Sequence, residues 1–301
     1  MRFARSLVTL LLVLLVLARA AAVAHAQQPA PVLVQPEIVM LPLVVDGKTL
    51  QVSTHLYKPA GNGPFPVMIF SHGRSGNRID RAKMQYPMPV GHGNYWIRKG
   101  VAVIAPVRPG YGDTGGNDNE DSLSNWQGSH CMGDPDFNRA ASNARHTIVA
   151  AYQWALEQPW VRRDRILLEG QSVGGMATVA AAALNLPGVV GIVNFAGGAG
   201  GNTDGSPGKS CKPQNLERAY QAWGQQAKGP SLWLYAENDL YWGPEAPRAW
   251  HRAYQAGGSD AEGVFTGPLD GRDGHFLLNY GGRMWSVPLE AFVKKVGLTA
   301  P

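Results

Sequence analysis

Residues 166–177 read Ile166-Leu167-Leu168-Glu169-Gly170-Gln171-Ser172-Val173-Gly174-Gly175-Met176-Ala177. A short continuous apolar run enters a G-x-S-x-G pentapeptide and leaves it as an alanine-rich stretch suited to a helix. The order of strand, tight turn and helix carries more information than the pentapeptide, because a chain with 37 Gly in 301 residues matches such patterns easily. At a turn of this kind the serine takes a strained backbone, and its flanking residues are glycine because strand and helix pass too closely to admit a Cβ. The helix N-terminus beneath the serine favours negative charge developing near its oxygen. Ser172 is the candidate nucleophile.

Outward from this turn, the same alternation recurs. Short apolar runs at Val67–Phe70, Val101–Ala105, Ile166–Leu168, Val189–Phe195 and Ser231–Tyr235 suit parallel strands buried on both faces. Helical stretches are predicted at Arg139–Gln158, Gly174–Leu184, Leu216–Ala227, Pro244–Gln255 and Arg283–Val296. Ahead of them, Ile38–Val45, Asp46-Gly47 and Thr49–Tyr57 read as strand, two-residue turn, strand. The expected fold is α/β: one domain over residues 38–301, a doubly wound, mostly parallel sheet of about eight strands, opened by an antiparallel hairpin. Two stretches break the alternation. Tyr111–Asn138 and Gly197–Asn215 are rich in Gly, Asn, Asp and Ser, and both follow strands at the carboxyl edge, where open α/β sheets bind ligands.

The N-terminus explains most of the formal charge of +5. Arg2 and Arg5 precede an apolar stretch from Leu7 to Ala18, interrupted only by Thr9, and Ala24-His25-Ala26 presents small residues at the two positions a signal peptidase reads. Residues 1–26 are expected to be a cleaved signal peptide and residues 27–37, rich in proline, a tether. The apolar stretch is too short to span a bilayer and no second one follows, so no stable membrane anchor is expected. Removing residues 1–26 takes three arginines and no acid from 27 bases and 22 acids, leaving a net charge of +2. That balance gives no reason to expect nucleic acid as a partner. Secretion or a periplasmic location permits oxidation, so Cys131 and Cys211, one in each irregular stretch, are expected to form a disulfide that pins both loops over one mouth. No CxxC, HxH or HExxH spacing occurs, and no metal site or other cofactor is expected.

A serine hydroxyl needs a base, and the base needs a carboxylate that fixes its tautomer. The chain order for this turn is Ser, acid, His. Of the two histidines after Ser172, His275 lies in the loop Leu269–Phe276 just before the last helix, whereas His251 sits mid-helix and is expected at the surface. The strand Ser231–Tyr235 runs into Ala236-Glu237-Asn238-Asp239, so Asp239 is the expected acid, with Glu237 as substitute; Asp270 and Asp273 share the loop of His275 and suit the role less well. Oxyanion donors are expected at the N–H of Val173 and at the amide of Arg74, in Phe70-Ser71-His72-Gly73-Arg74-Ser75-Gly76. His72 is expected to brace that loop. Arg108 and Arg74 near the mouth would favour an anionic ester, and Tyr111, Trp126 and Trp242 would line an apolar acyl or aryl pocket.

The HG-x-x-G loop, the GQSVGG turn, AENDLYW after a late strand and DGHF before the last helix together resemble the α/β-hydrolase superfamily, most of all its dienelactone-hydrolase and prolyl-oligopeptidase-type branches. The likeness covers nearly all of residues 38–296 and implies a Ser172, Asp239, His275 triad. It departs from cytosolic dienelactone hydrolases in having serine for cysteine, an export signal and two extra loops. It departs from prolyl oligopeptidases in lacking an upstream propeller. The function expected is a secreted serine hydrolase acting on small or polymeric carboxylic esters, with no oligomeric state legible. An exported aminopeptidase or amidase is the alternative, in which Asp113, Asp118, Glu120 and Asp121 would hold an amine. Two further readings are weaker. The tryptophans Trp96, Trp126, Trp223, Trp242 and Trp285 could stack sugars in a pure binding protein, but tryptophans usually pack cores. Gly197–Gly201 lacks the spacing of a dinucleotide loop.

Overall fold

A computed structural model of the chain describes residues 33–45 and 47–299. The expected signal peptide, most of the tether and Asp46 lie outside the described residues. Strand β1 (Glu37–Val45) begins at the last residue assigned to the tether and pairs antiparallel with β2 (Lys48–Tyr57). The register joins Val45 to Lys48 across a two-residue connection whose Gly47 has φ +74°, a conformation that glycine adopts without the Cβ clash other residues incur.

Six further strands complete one sheet: β3 (Phe65–Ser71), β4 (Ala102–Pro106), β5 (Val161–Gln171), β6 (Val189–Phe195), β7 (Ser231–Ala236) and β8 (Ala261–Thr266). Their order is β1-β2-β4-β3-β5-β6-β7-β8. Only the β1–β2 and β2–β4 pairs are antiparallel; β4–β3, β3–β5, β5–β6, β6–β7 and β7–β8 run parallel. The apolar runs alternate between two cores, as a period of two demands when both faces are covered. Val67, Ile69, Ile166, Leu168, Trp233 and Tyr235 face one core, whereas Met68, Phe70, Leu167, Leu232 and Leu234 face the other.

Helices supply those covers. On the first face lie α2 (Phe137–Glu157), α3 (Val173–Ala182), α4 (Pro213–Gln226) and α5 (Glu245–Ala256); on the second lie α1 (Val90–Arg98) and α6 (Gly282–Lys295). Helix α3 is buried along nearly its whole length, which explains why it is built from Ala, Gly and Val with no polar stripe. Asp136 caps α2, its side chain accepting from Arg139 N at 2.9 Å, and Pro213 opens α4, where a missing N–H is harmless.

Helix α1 and strand β8 escape the sequence reading, as do the short helices Arg78–Ala82 and Leu277–Tyr280, and β5 is longer than the run read for it. Helix α1 contains two glycines in VGHGNYWIR, which mask its periodicity. Strand β8, AEGVFT, is short, half-exposed and at the sheet edge, so it lacks the continuous apolar run of its neighbours. Strand β5 starts five residues earlier than its apolar run, at Val161. The two irregular stretches are also partly ordered into antiparallel ribbons, Trp126–Gln127 with His130–Cys131 and Gly201–Asn202 with Ser206–Ser210.

Cys131 and Cys211 are bonded, with Cα atoms 5.3 Å apart and a sequence separation of 80. Trp126 adds a second tie between the same stretches, its Nε1 donating to Gly200 O at 3.0 Å. Closing a loop of this length removes unfolded-chain entropy worth about 4 kcal/mol. Replacing both cysteines with serine is expected to lower Tm by on the order of 10 °C, measured by calorimetry. An unshifted midpoint would mean that the loops are held without the bond.

Candidate active site

Ser172 occupies the single position between β5 and α3, with φ +57° and ψ −126°. A non-glycine residue reaches that region only when its surroundings over-determine it. They do so here: Ser172 N donates to Phe195 O at 3.0 Å, while its carbonyl accepts from Met176 N at 3.0 Å and Gly198 N at 3.1 Å. A Cβ on Gly174 would collide with the carbonyl oxygens of Ser71 and His72, and one on Gly170 with the backbone of Gly174. The hydroxyl of Ser172 sits at an N-cap yet makes no capping bond, so it is not consumed by its own helix.

The loop after β3 packs directly beside it. A Cβ on Gly73 would lie 3.3 Å from that of Ser172. His72 holds the loop with both ring nitrogens: Nδ1 donates to Gly73 O at 2.7 Å and Nε2 accepts from Arg108 N at 2.9 Å. This use of both nitrogens requires a neutral ring. Arg108 completes the clamp. Its guanidinium bonds both oxygens of Glu120 at 2.6 and 3.0 Å and also reaches Ser71 Oγ at 3.0 Å, His72 O at 2.5 Å and Gly73 O at 3.3 Å. Because C=O and N–H point oppositely across a trans peptide, turning the Gly73 carbonyl toward Arg108 turns the Arg74 amide away from this buried network. Val173, as the first residue of α3, has an N–H with no intrahelical acceptor.

The candidate acid and base lie in the loops that follow β7 and β8. Asp239 is 2% exposed and divides its carboxylate: Oδ1 accepts from Tyr241 N at 2.7 Å and Trp242 N at 3.0 Å, and Oδ2 accepts from His275 Nδ1 at 3.0 Å. The imidazole lies against Tyr241, with centroids 4.0 Å apart, and edge-on to Trp242 at 5.3 Å. Asp273 accepts from His275 N and Leu240 N, both at 2.9 Å, so it fastens the histidine loop to the aspartate loop. Glu237 turns outward to Arg248 at 3.1 Å. Ser172, His275, Tyr241, Gly73 and Arg74 line one cavity of about 520 Å³. Among the described residues no group of three or more His, Cys, Asp and Glu could hold a metal ion.

Four expected substrate contacts are placed elsewhere. Arg108 is fully buried with its donors engaged, and Tyr111 is fully buried against His72, with ring centroids 4.6 Å apart. Trp242 supports His275 and donates to Ala196 O at 2.8 Å, while Trp126 joins the two pinned loops. None of the four lines the Ser172 cavity. Arg74 does line it, with its guanidinium bound to Asp118 at 2.7 Å and Asp121 at 3.0 Å. His251, expected at the surface, is buried between Trp233 and Phe265. Missed altogether were the wall formed by Met84 and Tyr86–Pro89, and Gln171, whose Nε2 donates to His275 O at 3.2 Å. The place of Gln171, directly before Ser172, was the one available signal for the latter. A buried pair was also missed: Glu169, three residues before Ser172, meets His92 Nε2 at 2.5 Å inside a ring of Phe70, Tyr95, Trp96, Phe195 and Trp285.

Comparison with solved structures reaches the same architecture. A protein from Klebsiella pneumoniae assigned as a dienelactone hydrolase aligns over 87% of this chain and 98% of its own, at TM-score 0.56 and 16% identity. This is the α/β-hydrolase fold. Est1E from Butyrivibrio proteoclasticus, solved with ferulic acid bound, aligns over 85% of this chain and 99% of its own at TM-score 0.58 and 15% identity. The esterase Est2 from Thermogutta terrifontis aligns over 92% and 98% at TM-score 0.56 and 15% identity. No protein-family model matches the chain, and no curated protein matches it by sequence.

Burial holds the pKa of His72 well below the usual histidine value, and the charge of Arg108 pushes it further down against the opposing Gly73 hydrogen bond. His55 and His251 are lowered chiefly by burial. The unfolded chain takes up these protons near pH 6.5 whereas the folded chain refuses them, so the stability they contribute is complete above about pH 6.5 and is lost as pH falls below it. Tm is expected to drop between pH 6.5 and 5, and His72→Gln to flatten that slope. An identical slope in the variant would remove His72 as a titrating group.

Proposed function

We propose that the chain is an exported serine hydrolase that cleaves carboxylic esters through an acyl-enzyme on Ser172. The observation that carries this reading is the Asp239–His275 hydrogen bond opening onto the same cavity as a serine held at φ +57°. His275 would take the Ser172 proton through Nε2 as the hydroxyl attacks the ester carbonyl, since Nδ1 is committed to Asp239. Asp239 fixes that tautomer and offsets the imidazolium charge. The carbonyl oxygen, becoming negative, would be received by the amides of Val173 and Arg74. His275 then protonates the departing alcohol, and water, activated by the same imidazole, releases the acid. Dienelactone-hydrolase and esterase neighbours support the reaction class.

Export rests on the N-terminal sequence and on the disulfide, a bond favoured in oxidising compartments. Among the described residues no helix is long and apolar enough to cross a membrane. The amine-binding alternative loses three of its four carboxylates: Asp118 and Asp121 are paired with Arg74, and Glu120 with Arg108, while Asp113 lines a separate cavity.

Ser172→Ala is expected to abolish turnover of p-nitrophenyl acetate and labelling by fluorophosphonates while leaving Tm near that of the parent. Asp239→Asn is expected to lower kcat by about 10³–10⁴. Labelling that survives in Ser172→Ala would place the nucleophile elsewhere.

A further inference from the structure

A second cavity, of about 710 Å³, adjoins the one that holds Ser172, and Met84 and Tyr86 line both. The divide between them is thus a two-residue ridge. Six polar residues line the second cavity, Gln35, Ser53, His55, Lys83, Gln85 and Asp113, and the rest of its lining is largely apolar, Ile38 included. Ser53 and His55 are 3% and 5% exposed, and among the described residues His55 Nδ1 has no hydrogen-bond partner. The Tyr86 hydroxyl meets Gln35 Oε1 at 3.4 Å, and its ring stands edge-on to His55 at 5.4 Å, so the ridge is tied to the polar wall.

The composition of this wall selects its occupant. An alkyl chain would cover the buried Ser53 and His55 without satisfying them, at a cost of roughly 1–3 kcal/mol for each. An ionised group would meet both Lys83 and Asp113 and gain little net attraction. A polyol suits such a mixed wall: its hydroxyl groups donate to and accept from two amides, a serine and a histidine whose charged form burial disfavours, and its C–H faces cover the apolar part. The volume falls in the range of sites that enclose small organic ligands.

We infer that the second cavity binds the alcohol arm of the ester, and that this arm is polyhydroxylated, as in an acylated oligosaccharide whose sugar units run from Ser172 over the Met84–Tyr86 ridge to His55 and Ser53. The inference rests on the ester-hydrolase reading and deepens it by naming the substrate class. The acyl group stays in the Ser172 cavity, and the ester bond is broken as described above.

The test compares two esters of the same acid, methyl acetate and an acetylated trisaccharide. The parent enzyme is expected to favour the trisaccharide ester at least tenfold in kcat/KM. Gln35→Trp and Gln85→Trp, both at exposed positions of the second wall, are expected to cut that preference about tenfold, through KM. Equal use of both esters by the parent, or a preference unchanged within twofold in both variants, would overturn the inference and leave the esterase reading intact. Turnover of neither ester would overturn the esterase reading. The cavity is then judged by calorimetric binding of the acetylated trisaccharide to Ser172→Ala: binding weakened by the added Gln35→Trp upholds it as a polyol site, and no binding, or binding that Gln35→Trp leaves unchanged, overturns it.

Discussion

The closeness of β5 to α3 is the constraint on which the site depends. The carbonyls of Ser71 and His72 approach Gly174 so nearly that no side chain fits there, and Gly170 meets the same helix from the strand side. A chain forced through so narrow a passage turns at one residue, and that residue is driven to positive φ. The strain is held by three backbone hydrogen bonds of Ser172, with Phe195 on the neighbouring strand β6, with Met176 in α3 and with Gly198 in the loop after β6. Serine is lifted out of the sheet edge as a result of packing, before any chemistry is considered.

A second layer fixes what surrounds the serine. Removing Arg108 and Glu120 from water is expensive, and a buried ion pair is a weak source of stability by itself. Its geometry suggests another use. One guanidinium gathers the hydroxyl of Ser71 and the carbonyls of His72 and Gly73, three consecutive residues, and so dictates which way the peptide planes beside Ser172 face. Arg74 is held from outside the clamp by Asp118 and Asp121. Acidic residues that look like an exposed cluster in the sequence are thus distributed among two arginines, each pinning one side of the same loop.

Much of the fold was legible because its strands are buried on both faces and therefore read as short, unbroken apolar runs. Where a strand is at the edge, as β8 is, that signature disappears and the strand goes unseen. The disulfide was legible from the expected export and from the placement of the two cysteines. The aromatic residues were misjudged for one reason: Tyr111 and Trp242 sit in loops, which suggests exposure, yet each packs on a histidine of the site, His72 or His275. A loop that is itself covered by another loop buries its large side chains as a helix would.

Ser172, Asp239 and His275 are marked in the chain by local features that need no partner to be recognised: a glycine-flanked turn between strand and helix, a carboxylate at a strand end, a histidine before the last helix. What the tertiary structure alone decided is which groups face the cavity. Arg108 is absorbed by the core, Met84 and Tyr86 come to stand between two cavities, and His92 meets Glu169 across 77 residues. The physical reason is range. Strand, turn and helix preferences act over a few neighbouring residues, whereas the direction a loop side chain takes is settled by contacts with segments far away in sequence.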